Sequence, residues 1–538
     1  MKTPRINPFK LTMTSLALVL IAFSTALAAV SDGIDVKVTN DNNNVDSVTL
    51  PNPGFDGQNR QQNETTLAIH PLVPNIVATG ANDYRMVPVT GDSWLGFSIS
   101  SDGGATWFET FVPGFPSDTS PAGLASPLLG LDGSGDPVVR FDDLGNLFVA
   151  GIAFNRNFDQ PDKPVDNVVY VARYDYSPGS PGGMSTSNSA ANPPNFTYAG
   201  TTIVDRGAVG FAVPNQPFGF AGEFVDKEWM QTDYYPNSPC TGNVYVTYTA
   251  FHGVSGNFPI KFSTSSDGGM TFPNPRTISS GGKTGTPRNQ GSDIAVGPDG
   301  DVYVAYRTYP DGSNPASTIS IVKSTDCGNK WTQPITVGTV SVGPAGVAFR
   351  TPTFAFVSVD DTNPDTVYVA YQSFDGVDYN IYVQRSTNGG MTWGTPVMVN
   401  DDSGDRPQVF PTIDVAGGVL HVAWYDSRHS TSSANEALDV YYAYSTPAMY
   451  PTFSGNERVT DVSHNPNCLM FGGGTVAFHG DYIELDAMVS GGTHTVHLSW
   501  ADNRDVTPCD LDPAPGPASN NTGNRNANIY ADTLVVTP

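Results

Sequence analysis

Basic residues are scarce in this chain of 538 residues: 26 Lys and Arg stand against 52 Asp and Glu, a formal net charge of -26. No run of Lys or Arg interrupts that excess, so a phosphate backbone would be repelled and nucleic acid is excluded as a partner. Charged residues of both signs make only 14% of the chain, which leaves little material for solvated helices. Cysteine is scarce too. Cys240, Cys327, Cys468 and Cys509 form no Cys-x-x-Cys pair, which argues against a zinc or dithiol redox motif. The eight histidines are scattered. No His-Glu-x-x-His occurs, and strand alternation would put His494 and His497 of "HTVH" on opposite faces. There is no phosphate-binding loop and no nucleotide fingerprint; "GGG" at 472–474 lacks the strand-to-helix context. "DDTNPD" (360–365) and "GPDGD" (297–301) are compatible with calcium but are ordinary hairpin-turn sequences. No metal and no cofactor are expected.

Only one long apolar run exists, at Leu11 to Leu27. It follows Lys2, Arg5 and Lys10 and ends on "ALA" at Ala26 to Ala28, the pattern of a secretory signal over residues 1–29. The mature chain, 30–538, is then expected to be one secreted domain without a membrane span. An even cysteine count in an exported chain suggests disulfides.

Gly (55) and Pro (44) are plentiful, and aromatic residues make 11%. A turn-rich chain with this much aromatic mass builds a large β core. One octet recurs: "SSDGGATW" (100–107), "SSDGGMTF" (265–272), "STDCGNKW" (324–331) and "STNGGMTW" (386–393). Three short alternating runs of Val, Ile, Tyr and Phe precede each later copy, and a fourth follows it. Gly, Pro, Asp or Asn separates the runs, which reads as four strands joined by turns. A fixed unit at a spacing of roughly 50 to 70 residues indicates a repeat architecture. Seven units are read, beginning near Asn63, Asp136, Asp226, Asn289, Thr351, Pro407 and Gly480. Four antiparallel strands repeated around an axis make a β-propeller blade. The last unit lacks a fourth strand, and "DVKVTND" at 35–41 is expected to complete it, closing the ring and removing a free sheet edge. Placed on this plan, Cys240 and Cys327 fall on one face of the ring, and Cys468 and Cys509 on the other. The pairings Cys240–Cys327 and Cys468–Cys509 join neighbours.

Within the octet, Asp102, Asp267, Asp326 and Asn388 occupy one position, between the third and fourth strands. Their side chains, with the preceding Ser, can bond amides of the turn, and the terminal aromatic can pack beneath it. The expected role is structural. The pattern Ser-x-Asp-x-Gly-x-Thr-Trp resembles the Asp box, or BNR repeat, of sialidases and related propellers. The resemblance covers nearly all of the mature chain. Sialidases have six blades, which makes six the alternative to seven.

The resemblance implies an active site opposite the octet face, at the axis, where three arginines clamp a sialic acid carboxylate. A guanidinium fork matches a carboxylate. The Phe/Tyr-Arg-Ile-Pro signature of that family is absent, so arginines are assigned by position alone. Arg288, Arg350 and Arg406 each precede the first strand of a unit and are the candidate substrate clamp. Arg85, Arg307, Arg428 and Arg504 end second strands, where a scaffold role is expected. Candidate acids are Glu64, Asp136, Asp226, Glu228 and Asp481. Tyr482 is the tyrosine nearest the axis. Asp136, Glu228, Asp481 and Tyr482 are the catalytic candidates, although alternation separates Asp481 from Tyr482. The expected function is a secreted sialidase-like glycoside hydrolase of exo-α-sialidase type acting on a glycan or polysaccharide. The alternatives are a non-catalytic propeller that binds glycan or protein, and a lyase-type polysaccharide enzyme.

Overall fold

The computed structural model describes residues 29–39, 61–86, 92–155, 165–183, 185, 188–215, 218–279, 288–310, 316–344, 346–431, 436–471, 476–506, 509 and 527–538. Residues 1–28 of the expected leader, residues 40–41 of the expected closing strand and "GGG" lie outside them. No helix among the described residues is long and apolar enough to cross a membrane.

The second strands of the units show why the chain folds as sheets. "VYVAYRT" (Val302–Thr308) and "VYVAYQSF" (Val367–Phe374) place β-branched and aromatic residues on both faces. Val302 to Ala305 are all 0% exposed, because each sheet packs another on either side. Such strands read as near-continuous apolar runs rather than as clean alternation.

Four separate sheets have four antiparallel strands each, in sequence order. They span Gln62–Phe111, Asn289–Val340, Ala355–Met398 and Gln408–Arg458. The second and third units fuse into one eight-stranded array from Gly133 to Thr277. The cause is the 17-residue strand Phe196–Ala212, whose far end pairs with Phe220–Thr232 in the register Ala208↔Glu223 and Ala212↔Phe220. The last sheet comprises Glu484–Ser490, Thr493–Asp502 and Asn528–Thr537. Val36–Lys37 pairs its outer strand antiparallel, Val36 opposite Ala531, and Ala29–Ser31 pairs the same strand further along. The all-β architecture of four-stranded antiparallel sheets fits a β-propeller.

The first strands of the seven units pack in succession. Gln62–Ile69 meets Gly133–Phe141, and the series continues through Phe220–Thr232, Asn289–Val296, Ala355–Val359, Gln408–Ala416 and Glu484–Ser490, which meets Gln62–Ile69 again. Side chains supply acceptors to the amides left on these inner edges. Thr66 Oγ1 accepts from Val139 N at 3.2 Å, Asp293 Oδ2 from Val357 N at 2.6 Å and Ser358 Oγ from Val415 N at 3.1 Å. Asp414 Oδ2 accepts from Ala487 N at 3.1 Å, Glu484 Oε2 from Leu67 N at 2.7 Å and Asp486 Oδ2 from Ile69 N at 2.7 Å.

The four octets share one bonding pattern. In the first, Ser100 Oγ donates to Asp102 Oδ1 at 2.8 Å and accepts from Gly104 N at 2.8 Å, and Thr106 N donates to Asp102 Oδ1 at 2.8 Å. Asn388 preserves this arrangement by donating from Nδ2 to Thr392 Oγ1 at 2.8 Å, where Asp102 Oδ2 instead accepts from Thr106 Oγ1. Cys327 replaces a turn glycine at φ 58°. It is disulfide-bonded to Cys240, and Cys468 is bonded to Cys509.

Candidate functional site

Five of the seven inner strands slip register, four near their starts and one midway along Phe220–Thr232, between Asn63/Thr66, Gly135/Val138, Asp226/Trp229, Gln290/Asp293 and Val409/Thr412. Each slip holds a residue in the left-handed region: Glu64 (φ 55°), Asp136 (57°), Lys227 (52°), Gly291 (67°) and Phe410 (54°). Bulges re-aim side chains, and non-glycine residues at positive φ are held only where the surroundings impose them. Here they turn Glu64, Asp136 and Lys227 toward one mouth of the axis.

That mouth is a cavity of about 410 Å³. Glu64, Asp136, Asp226 and Asp481 line it with two cations, Lys227 and Arg350. Arg350 grips Asp481 with both arms of its fork, Nε to Oδ1 and NH2 to Oδ2, each at 2.7 Å. Its NH2 lies 3.6 Å from Glu64 Oε1. Asn82 ties two acids together: its Nδ2 donates to Glu64 Oε2 at 2.6 Å, and its Oδ1 accepts from Asp136 N at 2.8 Å. The Lys227 ammonium sits 4.0 Å from the centre of the Tyr482 ring, 4.5 Å from Trp229 and 5.5 Å from Phe354.

Burial, then the charge of and hydrogen bond to Asp136, push the Asp226 carboxyl up to about 7. Burial also holds Glu64 well above the carboxylate range; Asp136 and Asp481 add to the rise, and Arg350 and Lys227 oppose it. Asp481 is raised by burial against the pull of Arg350. Burial and neighbouring acids therefore raise three of the cavity's carboxyls toward the protonated form, Asp226 to about 7.

Of the four catalytic candidates, Asp136 and Asp481 line this cavity, and Glu228 and Tyr482 do not. Glu228 is 0% exposed, and neither of its oxygens has a hydrogen-bond partner among the described residues. Tyr482 is buried edge-on to Trp229 at 5.3 Å, its hydroxyl likewise unpartnered. The arginine trio does not converge. Arg288 is exposed and lies over the Phe258 ring at 5.3 Å. Arg406 lies 3.6 Å from Glu436. Only Arg350 reaches the cavity. The other arginines brace second strands. The Nε of Arg85 donates to Asp83 at 2.7 Å, and Arg428 and Arg504 hold Asp426 and Asp502 at 2.8 Å and 2.7 Å. Arg307 instead donates to Ser317 Oγ at 2.9 Å. Sequence reasoning passed over Asn82 as a partner of the acids and read Lys227 only as neutralising the acids beside it, where it lines the cavity. The Asn of "ANDYR" and the Lys between two acids in "DKEW" were the available signals.

A second cavity of about 400 Å³ opens on the other ends of the same strands. Its acids Asp293, Asp414, Glu484 and Asp486 accept inner-strand amides, and Glu484 also pairs with Arg140 at 2.5 Å. Trp229 stands between the two cavities, with Lys227 over its ring at 4.5 Å and Arg140 at 5.6 Å. Among the described residues, no three acids, histidines or cysteines are grouped so as to hold a metal ion.

No family model and no curated protein matches the chain. Among solved structures it is similar to a protein of unknown function from Dyadobacter fermentans, with 12% identity and a TM-score of 0.42 over 94% of this chain and 99% of that one. It is similar to an α-L-arabinofuranosidase from Fusarium graminearum, with 10% identity and a TM-score of 0.41 over 94% and 97%. A leech intramolecular trans-sialidase aligns with 71% of this chain and 68% of its own, at 12% identity and a TM-score of 0.40.

Proposed function

We propose that the chain is a secreted glycoside hydrolase whose site is the carboxylate cavity at one mouth of a seven-bladed propeller, its last blade completed by the N-terminal strand. The succession of seven inner strands supports the blade count, and the pairing of Val36–Lys37 supports the closure. The observation that carries the activity is a carboxyl poised near neutrality, Asp226, in one cavity with a carboxylate charge-paired to a guanidinium, Asp481. Asp226 gives its proton to the glycosidic oxygen as the bond to the anomeric carbon breaks. Asp481 faces the positive charge that develops on the sugar and accepts a proton from the incoming water. Asp136 keeps the proton on Asp226, and Asn82 positions Asp136 and Glu64.

The charge balance favours a neutral glycan over sialic acid. Four carboxyls line the cavity against two cations, and Asp481 already occupies both arms of Arg350. A specific observation favours the second reading, a glycan-binding propeller without catalysis. Asp226 and Asp136 are hydrogen-bonded to each other, closer than the roughly 5 Å or more that separates the carboxyls of a hydrolytic pair. If Asp226 acts with Asp481, the Asp136 contact is a proton store rather than the catalytic pair.

The test is hydrolysis of a panel of 4-nitrophenyl glycosides, a sialoside included, by the parent and by Asp226→Asn. The expected result is release from a neutral glycoside by the parent and a loss of about 10²–10⁴-fold in the variant, with the parent's rate falling as pH rises through about 7. Release from the sialoside alone would restore the exo-α-sialidase reading. No release from any glycoside would leave the binding reading.

A further inference from the structure

A wall of aromatic rings leaves the cavity on the side of the third and fourth units. Phe154 and Phe224 line the cavity, with ring centres 6.4 Å apart. From Phe224 the contacts run to Phe220 at 6.4 Å and then to Phe218 at 6.3 Å. Phe218 meets Phe251 at 5.2 Å and Phe258 at 5.5 Å, and Phe258 meets Tyr309 at 5.8 Å. The wall then returns to the cavity, because Tyr309 Oη donates to Gln290 Oε1 at 3.0 Å and Gln290 is a lining residue.

The backbone explains this placement. The fused hairpin between Phe196–Ala212 and Phe220–Thr232 extends past the strand starts, and Phe218 lies in the connection between its strands. Core packing does not require a ring there. Phe218 is 36% exposed, whereas Phe220 is 8% and Phe258 4% exposed. Hydrogen-bonding groups edge the rings: the Arg288 guanidinium over Phe258 at 5.3 Å, and the Tyr309 hydroxyl, which donates to Gln290 Oε1 at 3.0 Å. An open apolar face edged by hydrogen-bonding groups and continuous with a polar cavity has the character of a ligand groove.

We propose that this wall binds the sugar units of a glycan beyond the one held in the cavity, so that the ligand is a neutral oligo- or polysaccharide rather than a small glycoside. This rests on the reading of the cavity as a glycan site. The apolar C–H faces of sugar rings lie on Phe218 and Phe251, and hydroxyl groups reach Arg288. Binding energy from remote units is then available to position the reacting unit.

The test is affinity electrophoresis of the full chain through native gels containing soluble xylan, arabinan, mixed-linkage β-glucan or galactomannan. The expected result is retardation of the parent by at least one of them, and a dissociation constant for that polymer raised at least about fivefold by Phe218→Ala. Val254→Ala, which removes a 54% exposed apolar side chain from the neighbouring loop, should leave the retardation unchanged. Phe218 is open enough that the variant should keep the parent's melting temperature, which is checked alongside. Retardation unaffected by Phe218→Ala, or a parent retarded by none of the four polymers, would overturn the proposal. Asp226→Asn separates the two readings: a variant that is retarded like the parent, where the parent hydrolyses none of the polymers, removes the hydrolase and keeps the wall.

Discussion

Acid should loosen the seam between the sixth and seventh units, and two buried rings set how much. His421 Nε2 lies 3.1 Å from His494 Nδ1, and its Nδ1 lies 2.6 Å from Tyr442 Oη. His464 and His479 meet Nε2 to Nε2 at 3.2 Å, and the other nitrogen of His464 faces Asp502 at 3.2 Å. The charged groups around these pairs are Asp361 near His494 and Arg504 bound to Asp502. Burial first, and the second ring of each pair next, push His421 and His479 down to about 3. An unfolded histidine titrates near 6.5. Because the folded values are depressed, the stability these rings contribute is complete above about 6.5 and is lost as pH falls toward 3. At pH 4.5 the unfolded ring has gained a proton and the folded ring has not, over about two pH units. At 1.36 kcal/mol per unit this is about 2.7 kcal/mol for each ring. Unfolding entropy of about 2.1 cal/mol/K per residue over about 500 residues converts 1 kcal/mol into about 1 °C. Calorimetric melts of the parent and of His421→Gln and His479→Gln, taken between pH 7.5 and 4.5, read the effect. Buried carboxyls such as Asp293, pushed up to about 7, titrate in the opposite sense. They are common to parent and variants and cancel in the difference. Each variant should lose about 3 °C less than the parent over that range. Parallel pH profiles would refute the reasoning.

The Cys468–Cys509 bridge closes a loop of 41 residues, so replacing both cysteines with Ser should cost about 4 kcal/mol in the chain-entropy account. A fall of about 4 °C in a calorimetric melt of the double variant would meet that figure; an unchanged melt would not. Gly480 stands at φ +85°, and an added Cβ would meet Glu64 Cγ at 2.6 Å and Glu64 N at 2.7 Å. Gly480→Ala should displace Glu64 and lower glycoside hydrolysis, or polymer binding if the site is only a binding site, by tenfold or more. The far-UV spectrum should stay that of the parent.

The strands were legible because a sheet covered on both faces repeats β-branched and aromatic residues without interruption. The octets were legible because one hydrogen-bond pattern constrains Ser, Asp or Asn, Gly and Thr at fixed spacing. The cysteine pairs followed from assigning each cysteine to one end of a strand. The convergence of acids was legible only in part. Glu64, Asp136, Asp226 and Asp481 were placed at the funnel because they start inner strands, but nothing in "NETT" or "GDPV" announces a left-handed residue. Those conformations are imposed by the bulged pairing with the second strands. The arginines failed for a related reason. Arg288 and Arg406 precede their strands by one or two residues, whereas Arg350 precedes Ala355 by five. An equivalent place in the sequence is then not an equivalent place in space. The joined second and third units were not foreseen either, because alternation shows that a strand exists but not how far beyond its sheet it continues.

The unconverged arginines and the raised carboxyls are one fact seen twice. A guanidinium about 5 Å from a carboxylate, at an effective dielectric of about 20, stabilises the charged form by about 3 kcal/mol, or about two units of pKa. A second free arginine in the cavity would therefore bring Asp226 from about 7 to about 5 and take away the proton at neutral pH. A cavity built to clamp an anion and a cavity built to keep a proton on Asp226 make opposite demands on the same few ångströms. This chain meets the second demand. Arg350 is committed to Asp481, Lys227 is drawn onto the faces of three rings, and Arg288 and Arg406 are held outside. Glu64, Asp136 and Lys227, held in left-handed backbone at the cavity, cost on the order of 1–3 kcal/mol each. The fold sustains that strain on inner strands whose other ends are tied to their neighbours by side-chain acceptors, and at the strained ends it keeps four carboxyls against two cations.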